Sequence, residues 1–385
     1  MNKHIITTVS ASLLLLASLF LVGCQNDDTD FSAYTNGSTS SDVSTTSVIS
    51  IVYSGSSVTV SGDTKGYVTT DGADVTVDTG TDTDSLLLVL SGSTTDGSLL
   101  IYREKKFGIR MNGVSIHNSD GPAINNQCGK SLYVELVSGT TNTLTDGTSY
   151  TDAFDSSGNS IQQKGAFFSE GQTYFSGTGK LVVTGSTANA IACDDYIVID
   201  EATITATSAT GHGISVNDGF TMNSGSLTID VTGDACKGLK SDSTTVITGG
   251  TLTITTSGGC VYDETEADYS SAACIKSDYQ VSISGGTLTL TSSGDGGKGI
   301  NCDTDVVFSG GTMVVTTTGS NNDAKPKGVK ADGDITVSGG SFSVSVNKSW
   351  ACDNGSDSDD PADMLTVIGT PTTRTIEKKT VVIQY

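Results

Sequence analysis

Gly249-Gly250-Thr251-Leu252-Thr253-Ile254, Gly285-Gly286-Thr287-Leu288-Thr289-Leu290, Gly310-Gly311-Thr312-Met313-Val314-Val315 and Gly339-Gly340-Ser341-Phe342-Ser343-Val344 are four versions of one phrase. In each, a Gly pair opens a run in which polar and apolar residues alternate. Period-two alternation marks a strand with one buried face, and the Gly pair marks the turn before it. Ten residues before each pair stands an apolar anchor: Leu239, Ile275, Ile300 and Val329. Ile191 and Ile214 are earlier copies, and successive anchors are separated by 23, 25, 36, 25 and 29 residues. Three residues after each anchor comes a polar residue: Asp194, Asn217, Asp242, Asp278, Asp303 or Asp332. Short strands and Gly turns recurring every roughly 20 to 30 residues are the signature of a solenoid. The two-residue alternation makes it a β-solenoid and not a leucine-rich repeat. The expected fold is all-β, a parallel β-helix over residues 47–385, with coils stacked about 4.8 Å apart. A sandwich of hairpins would not hold fixed offsets from one anchor.

If the anchor faces the core, the residue two later does too, which sends Cys193 and Cys302 inside as small hydrophobes. Residues one and three after the anchor then face outward. They form a column of Ala192, Ser215, Lys240, Lys276, Asn301 and Lys330 beside the polar column. Parallel strands stack like on like, so the carboxylates of that polar column stand ~5 Å apart and repel one another. Where Lys276 and Lys330 flank the column, exposed salt bridges are expected, each worth little. At the N-terminal end the lysines are missing, while polar residues double as Asp194-Asp195 and Asn217-Asp218. There the expected partner is Ca²⁺, a hard cation held by oxygens from successive coils. Its expected ligands are Asp194, Asp195, Asn217, Asp218 and Asp242, and the expected ligand-binding residues are Lys240, Lys276 and Asp278.

Over the whole chain, 20 basic and 43 acidic residues leave a net charge of −23. Nothing in such a balance replaces the cations around a phosphate backbone, so nucleic acid is not an expected partner. Thr, Ser, Gly and Asp dominate and helix-forming runs are missing, which argues against an all-helical fold. Seven cysteines follow Cys24, an odd number that cannot pair completely, and no CxxC pair suggests zinc.

Residues 1–23 read as a signal peptide, because Lys3 and His4 precede the apolar run Leu13–Val22. Leu21-Val22-Gly23-Cys24 resembles the lipobox of bacterial lipoproteins, which implies a diacylglycerol on Cys24 and membrane anchoring through that lipid. Gln25-Asn26-Asp27-Asp28 resembles the acidic export tag of Bacteroidota surface lipoproteins and implies an outer membrane location facing the exterior. Residues 24–46 then form a flexible Ser/Thr/Asp-rich tether.

Asn112-Gly113-Val114-Ser115-Ile116-His117-Asn118-Ser119-Asp120-Gly121-Pro122-Ala123-Ile124, Gly139-Thr140-Thr141-Asn142-Thr143-Leu144-Thr145-Asp146-Gly147 and Gly328-Val329-Lys330-Ala331-Asp332 carry a wider resemblance. They are similar to a family of secreted bacterial carbohydrate-binding proteins, calcium-bearing β-helices that bind polygalacturonate and are distantly similar to family-nine pectate lyases. The resemblance implies a right-handed parallel β-helix, Ca²⁺ and an acidic plant polysaccharide as partner. For an acidic protein and an acidic polymer, bridging cations are the expected glue. Trp350 is the single Trp and no spacing of tyrosines argues for an aromatic platform.

Binding without catalysis is the leading expectation. A lyase is the first alternative, with Lys237 or Lys240 as its base. A surface adhesin or structural stalk is the second. Gly296-Gly297-Lys298-Gly299 is not a phosphate loop, since no Ser or Thr follows the lysine. The 36-residue interval holds an acidic insertion near 257–271 that reads as a solvated loop or as a flap over the ligand face.

Overall fold

The structure, a computed structural model, describes residues 46–385. The expected signal peptide, Cys24 and nearly all of the tether lie outside the described residues. Each coil of the repeat region carries three strands, such as Lys237–Ser241, Thr245–Ile247 and Thr251–Thr256. The next coil repeats them as Ala273–Ser277, Val281–Ile283 and Thr287–Ser292, each parallel to its counterpart. Three stacked ladders result, and the chain is an all-β parallel solenoid. Ile191, Ile214, Leu239, Ile275, Ile300 and Val329 are consecutive register partners, as their spacing predicts. Among the described residues, one short 3-10 turn at Pro361–Met364 is the departure from strand and loop.

Antiparallel pairs finish both ends. Ser47–Ser54 pairs with Ser57–Ser61 at the start, and Thr380–Gln384 covers Ser341–Val346 at the finish. The final strand thus pairs an edge that would otherwise be open to other chains. The Gly pairs turn as the sequence requires: Gly286 has φ +83°, and a Cβ there would lie 2.9 Å from the Gly250 carbonyl oxygen one coil back.

Inside the solenoid, apolar side chains of the three ladders meet, and Cys193 and Cys302 are buried among them. All seven cysteines of the described residues are free. One departure from strict alternation shapes everything outside. Gly238, Gly299 and Gly328, each just before an anchor, also turn inward. A Cβ on any of them would lie 2.2 Å from a methyl of Ile254, Val315 or Val344 respectively. With Gly and anchor both inward, the strand Lys237–Ser241 alternates as half-buried, buried, buried, half-buried, buried. Lysines two before and one after the anchor therefore both face outward. Strict alternation would have sent the first of them into the core.

Candidate functional site

Two outward columns follow from this geometry. Lys237, Ala273, Lys298 and Lys327 are successive partners, ending at Trp350. Lys240, Lys276, Asn301 and Lys330 run beside them, ending at Asp353. The recurring phrase is Lys-Gly-apolar-Lys/Asn-x-Asp, at 237–242, 298–303 and 327–332.

Lys298 is only 9% exposed. Its ammonium donates to the Gly296 carbonyl at 2.8 Å, to Ser271 Oγ at 3.0 Å and to the Ala324 carbonyl at 3.4 Å. No carboxylate is among these partners. Lys237 likewise donates to the Ala235 carbonyl and, at 3.0 Å, to Ser270 Oγ. Burial holds both ammoniums down from the usual lysine range to about 8, and Lys327 and Lys330 add to the effect at Lys298. A buried cation without a counter-anion is costly and attracts one. The neighbouring lysines are paired. Lys276 reaches Asp278 at 2.7 Å and Asp303 at 2.6 Å, Lys330 reaches Asp332 at 2.6 Å, and Lys327 pairs with Asp353. Burial works against the Lys276 charge, yet its two carboxylates outweigh burial and raise its pKa.

The insertion supplies a wall. It folds as a hairpin, Cys260–Asp263 against Asp268–Ser271, and its second strand places Tyr269, Ser270 and Ser271 beside the lysines. The loop before Lys327 adds Asp323, Ala324 and Lys325, and Asn321 Nδ2 meets Cys260 Sγ at 3.1 Å to join loop and hairpin. Together they bound a cleft of about 350 Å³. Six lysines and three aspartates line it, and Asp278, Asp303 and Asp332 pair with two of those lysines from outside the lining. Lys237 and Lys298, which bond no carboxylate among the described residues, therefore set its character on a chain of net charge −23. On its floor, Asn301 Oδ1 is buried without a hydrogen-bond partner among the described residues.

A family model described as carbohydrate-binding domain-containing protein matches residues 71–245 and 235–324, more than half of the chain. The chain belongs to that family. The match includes Lys237, Lys276 and Lys298 and the whole hairpin. A solved structure described as the polysaccharide lyase-like protein from C. thermocellum, a gadolinium derivative, is similar at 18% identity and a TM-score of 0.42. It covers 84% of this chain and 95% of that one. A likeness that loose carries no argument about chemistry. No curated protein matches.

In this carbohydrate-binding domain the expected site residues divide into three groups. Lys237 and Lys276 line the cleft, with Asp278 holding Lys276. Lys240 lies beside the cleft and pairs with Asp242. Asp194, Asp195, Asn217 and Asp218 sit together on the two preceding rungs, with Asn217 Nδ2 3.4 Å from Asp194 Oδ1. As donors for Ca²⁺ they are hard oxygens on adjacent coils, but those of Asp194 and Asp195 are engaged. Lys164 spans both oxygens of Asp194 at 2.5 and 2.6 Å, and Gln172 donates to Asp195. Burial, with the charge of Asp218 behind it, pushes the Asp195 carboxyl up. Among the described residues no group of three or more His, Cys, Asp or Glu is arranged to hold a metal ion. In this arrangement Asp194, Asp195 and Asp242 already have protein partners, and Asn217 and Asp218 are the expected ligands whose oxygens stay open among the described residues.

Two features escaped the sequence. Lys298, inside a Gly-rich segment read only as an unfulfilled phosphate loop, is the most buried lysine of the cleft. Tyr133, Tyr174 and Tyr196 cluster on another ladder, the first two stacked at 4.9 Å and the latter pair edge-on at 5.7 Å. Their spacing of 41 and 22 residues hides them, because the coils between them differ in length.

Proposed function

We propose that this carbohydrate-binding domain binds an acidic polysaccharide, of pectin or polygalacturonate type, in the lysine cleft and without catalysis. The observation that carries the reading is the pair of ammoniums of half-buried Lys237 and buried Lys298, which face one cleft with no carboxylate bonded to either among the described residues. A uronate carboxylate between them supplies the missing counter-anion through charge-assisted hydrogen bonds. These contacts reach the polymer directly, so they offer a route beside the calcium bridging expected from the family resemblance. Anchoring through a lipid on Cys24 places the cleft at the outer surface of the cell, where such polymers arrive.

Affinity electrophoresis of the described domain in gels containing polygalacturonate, or a neutral galactan, tests the proposal. Retardation by polygalacturonate alone is expected. Equal retardation by both would refute the acidic specificity. Repeating the run in EDTA separates the two routes: direct ammonium contacts survive chelation, and calcium bridging does not. Appearance of unsaturated uronides absorbing in the ultraviolet would replace the binding reading with a lyase whose base is Lys237.

A further inference from the structure

The cleft has a direction. Its lining comes from five successive rungs of one ladder, through Lys237, Lys276, Lys298, Lys327 and Asp353. Four rung-to-rung steps of about 4.8 Å make roughly 19 Å along the solenoid axis. Along any one strand the lining reaches only from Lys298 to Asn301, or from Lys327 to Lys330, roughly 10 Å. The wall follows the longer dimension. Hairpin and loop spring from the coils of Ala273 and Lys327, with the coil of Lys298 between them, and the contact of Asn321 with Cys260 closes the gap. A chain wrapped around one coil would run into this wall, whereas a chain laid along the axis runs beside it.

Both ends of the lysine column are also defined. Below Lys237, the backbone N–H of that lysine donates to His212 Nδ1 at 3.0 Å. Burial, with Lys237 and Lys240 nearby, holds this imidazole down to about 4, so it is neutral at pH 7 and adds no charge. Beyond Lys327 stands Trp350, its ring covered by the Lys378 ammonium at 4.3 Å from the centroid.

We infer that the bound acidic glycan lies parallel to the solenoid axis, on a track of fixed length from Lys237 to Lys327. This rests on the acidic-polysaccharide reading and adds to it an orientation and a saturating chain length. Successive anionic groups then meet lysines of successive coils. An anion every sugar unit, repeating at a distance close to the rung spacing, suits a homopolymeric uronan better than a glycan with sparse charge.

Calorimetric titration with homogeneous oligogalacturonides from the monomer upward tests the inference. Affinity should rise with each added uronate until the oligomer covers the track, then level off. Lys237→Gln and Lys327→Gln, at opposite ends, should each weaken a track-length oligomer about tenfold, the loss of one charge-assisted hydrogen bond. Each should also move the plateau to a shorter oligomer. Circular dichroism of both variants serves as the check on folding, and Lys330→Gln replaces Lys327→Gln if that variant unfolds. Binding of the polymer with no dependence on oligomer length would overturn the axial track and leave the acidic-polysaccharide reading standing. No binding of any oligomer or of the polymer would remove both.

Discussion

Lys298→Met separates the cost of a buried ammonium from its use. The side chain is 9% exposed and its pKa lies at about 8 instead of 10.5. At 1.36 kcal/mol per unit, the folded state forgoes about 3 kcal/mol at pH 7 by keeping this group charged. Methionine keeps most of the stem and its packing but removes the charge. It also leaves the Gly296 and Ala324 carbonyls and Ser271 Oγ without their donor, which costs about 1–3 kcal/mol. At pH 7 the two effects largely offset, so stability there changes little. The pH dependence decides. Because the folded pKa is below the unfolded one, the unfolded chain binds more protons between about pH 8 and 10.5. Wild-type stability should therefore rise through that window by up to about 3 kcal/mol from this group, and the variant should lack that rise. Urea unfolding at pH 7, 8, 9 and 10, followed by Trp350 fluorescence, measures both proteins against a common background from the other lysines. The variant's stability relative to wild type should fall steadily with pH. A difference that stays flat would refute the argument that Lys298 is a charged group buried without a counter-anion. The same substitution should weaken polygalacturonate binding at pH 7 by ~30-fold, the equivalent of about 2 kcal/mol for one desolvated charge contact.

Three further outcomes are expected, two from the structure and one from the sequence alone. Polygalacturonate retention should fall between pH 7 and pH 9.5 as Lys237 and Lys298 lose their protons near pH 8, since uronate carboxylates do not titrate there; pH-independent retention in gel electrophoresis would assign binding to other groups. Gly299→Ala places a Cβ 2.2 Å from Val315 Cγ1, and this overpacking should cost about 1–3 kcal/mol in urea unfolding, where an unchanged midpoint would contradict the packing account. Cys24→Ala should move the protein from the membrane fraction to the soluble one, and unchanged retention would rule Cys24 out as the lipid site.

The repeat was legible because its physics is local and periodic. Anchors, Gly pairs and alternating runs each constrain one coil, and stacking copies the constraint, so the register of Leu239 on Ile275 could be read from spacing alone. The site was legible only in part. The column of Lys240, Lys276 and Lys330 follows from alternation counted forward from the anchor. The column of Lys237, Lys298 and Lys327 does not, because it depends on a glycine turning inward beside the anchor. That turn answers the β-branched or bulky residue on the facing ladder, such as Val315 opposite Gly299, a contact between positions 16 residues apart. The hairpin's place beside Lys298 was likewise invisible, since an insertion's composition says that it is exposed and not which way it leans. The recurrence of Lys-Gly before three anchors was the available signal, and packing gives it its meaning.

For the proposed acidic ligand, charge decides whether a chain of net charge −23 can hold a polyanion. At physiological ionic strength a charge is screened over about 8 Å, so the acidic surface beyond the cleft contributes little at the point of contact. Within the cleft, Lys276, Lys327 and Lys330 are held by their own aspartates, so the charges left for a bound carboxylate are chiefly those of Lys237 and Lys298. Lys237 and Lys298 have low local dielectric and neutral oxygens as their partners, which makes their attraction far less screened than that of the exposed acids. The remaining negative charge acts at longer range, slowing the approach of polyanions more as salt is lowered. Lowering the salt should therefore strengthen the bound contacts while retarding encounter, so the association rate falls and the dissociation rate falls too. An ordinary basic binding surface behaves otherwise, with its association rate rising as salt is removed. Stopped-flow measurement of both rates against salt concentration distinguishes the two, and an association rate that rises on salt removal would mean that the cleft's field dominates at every distance.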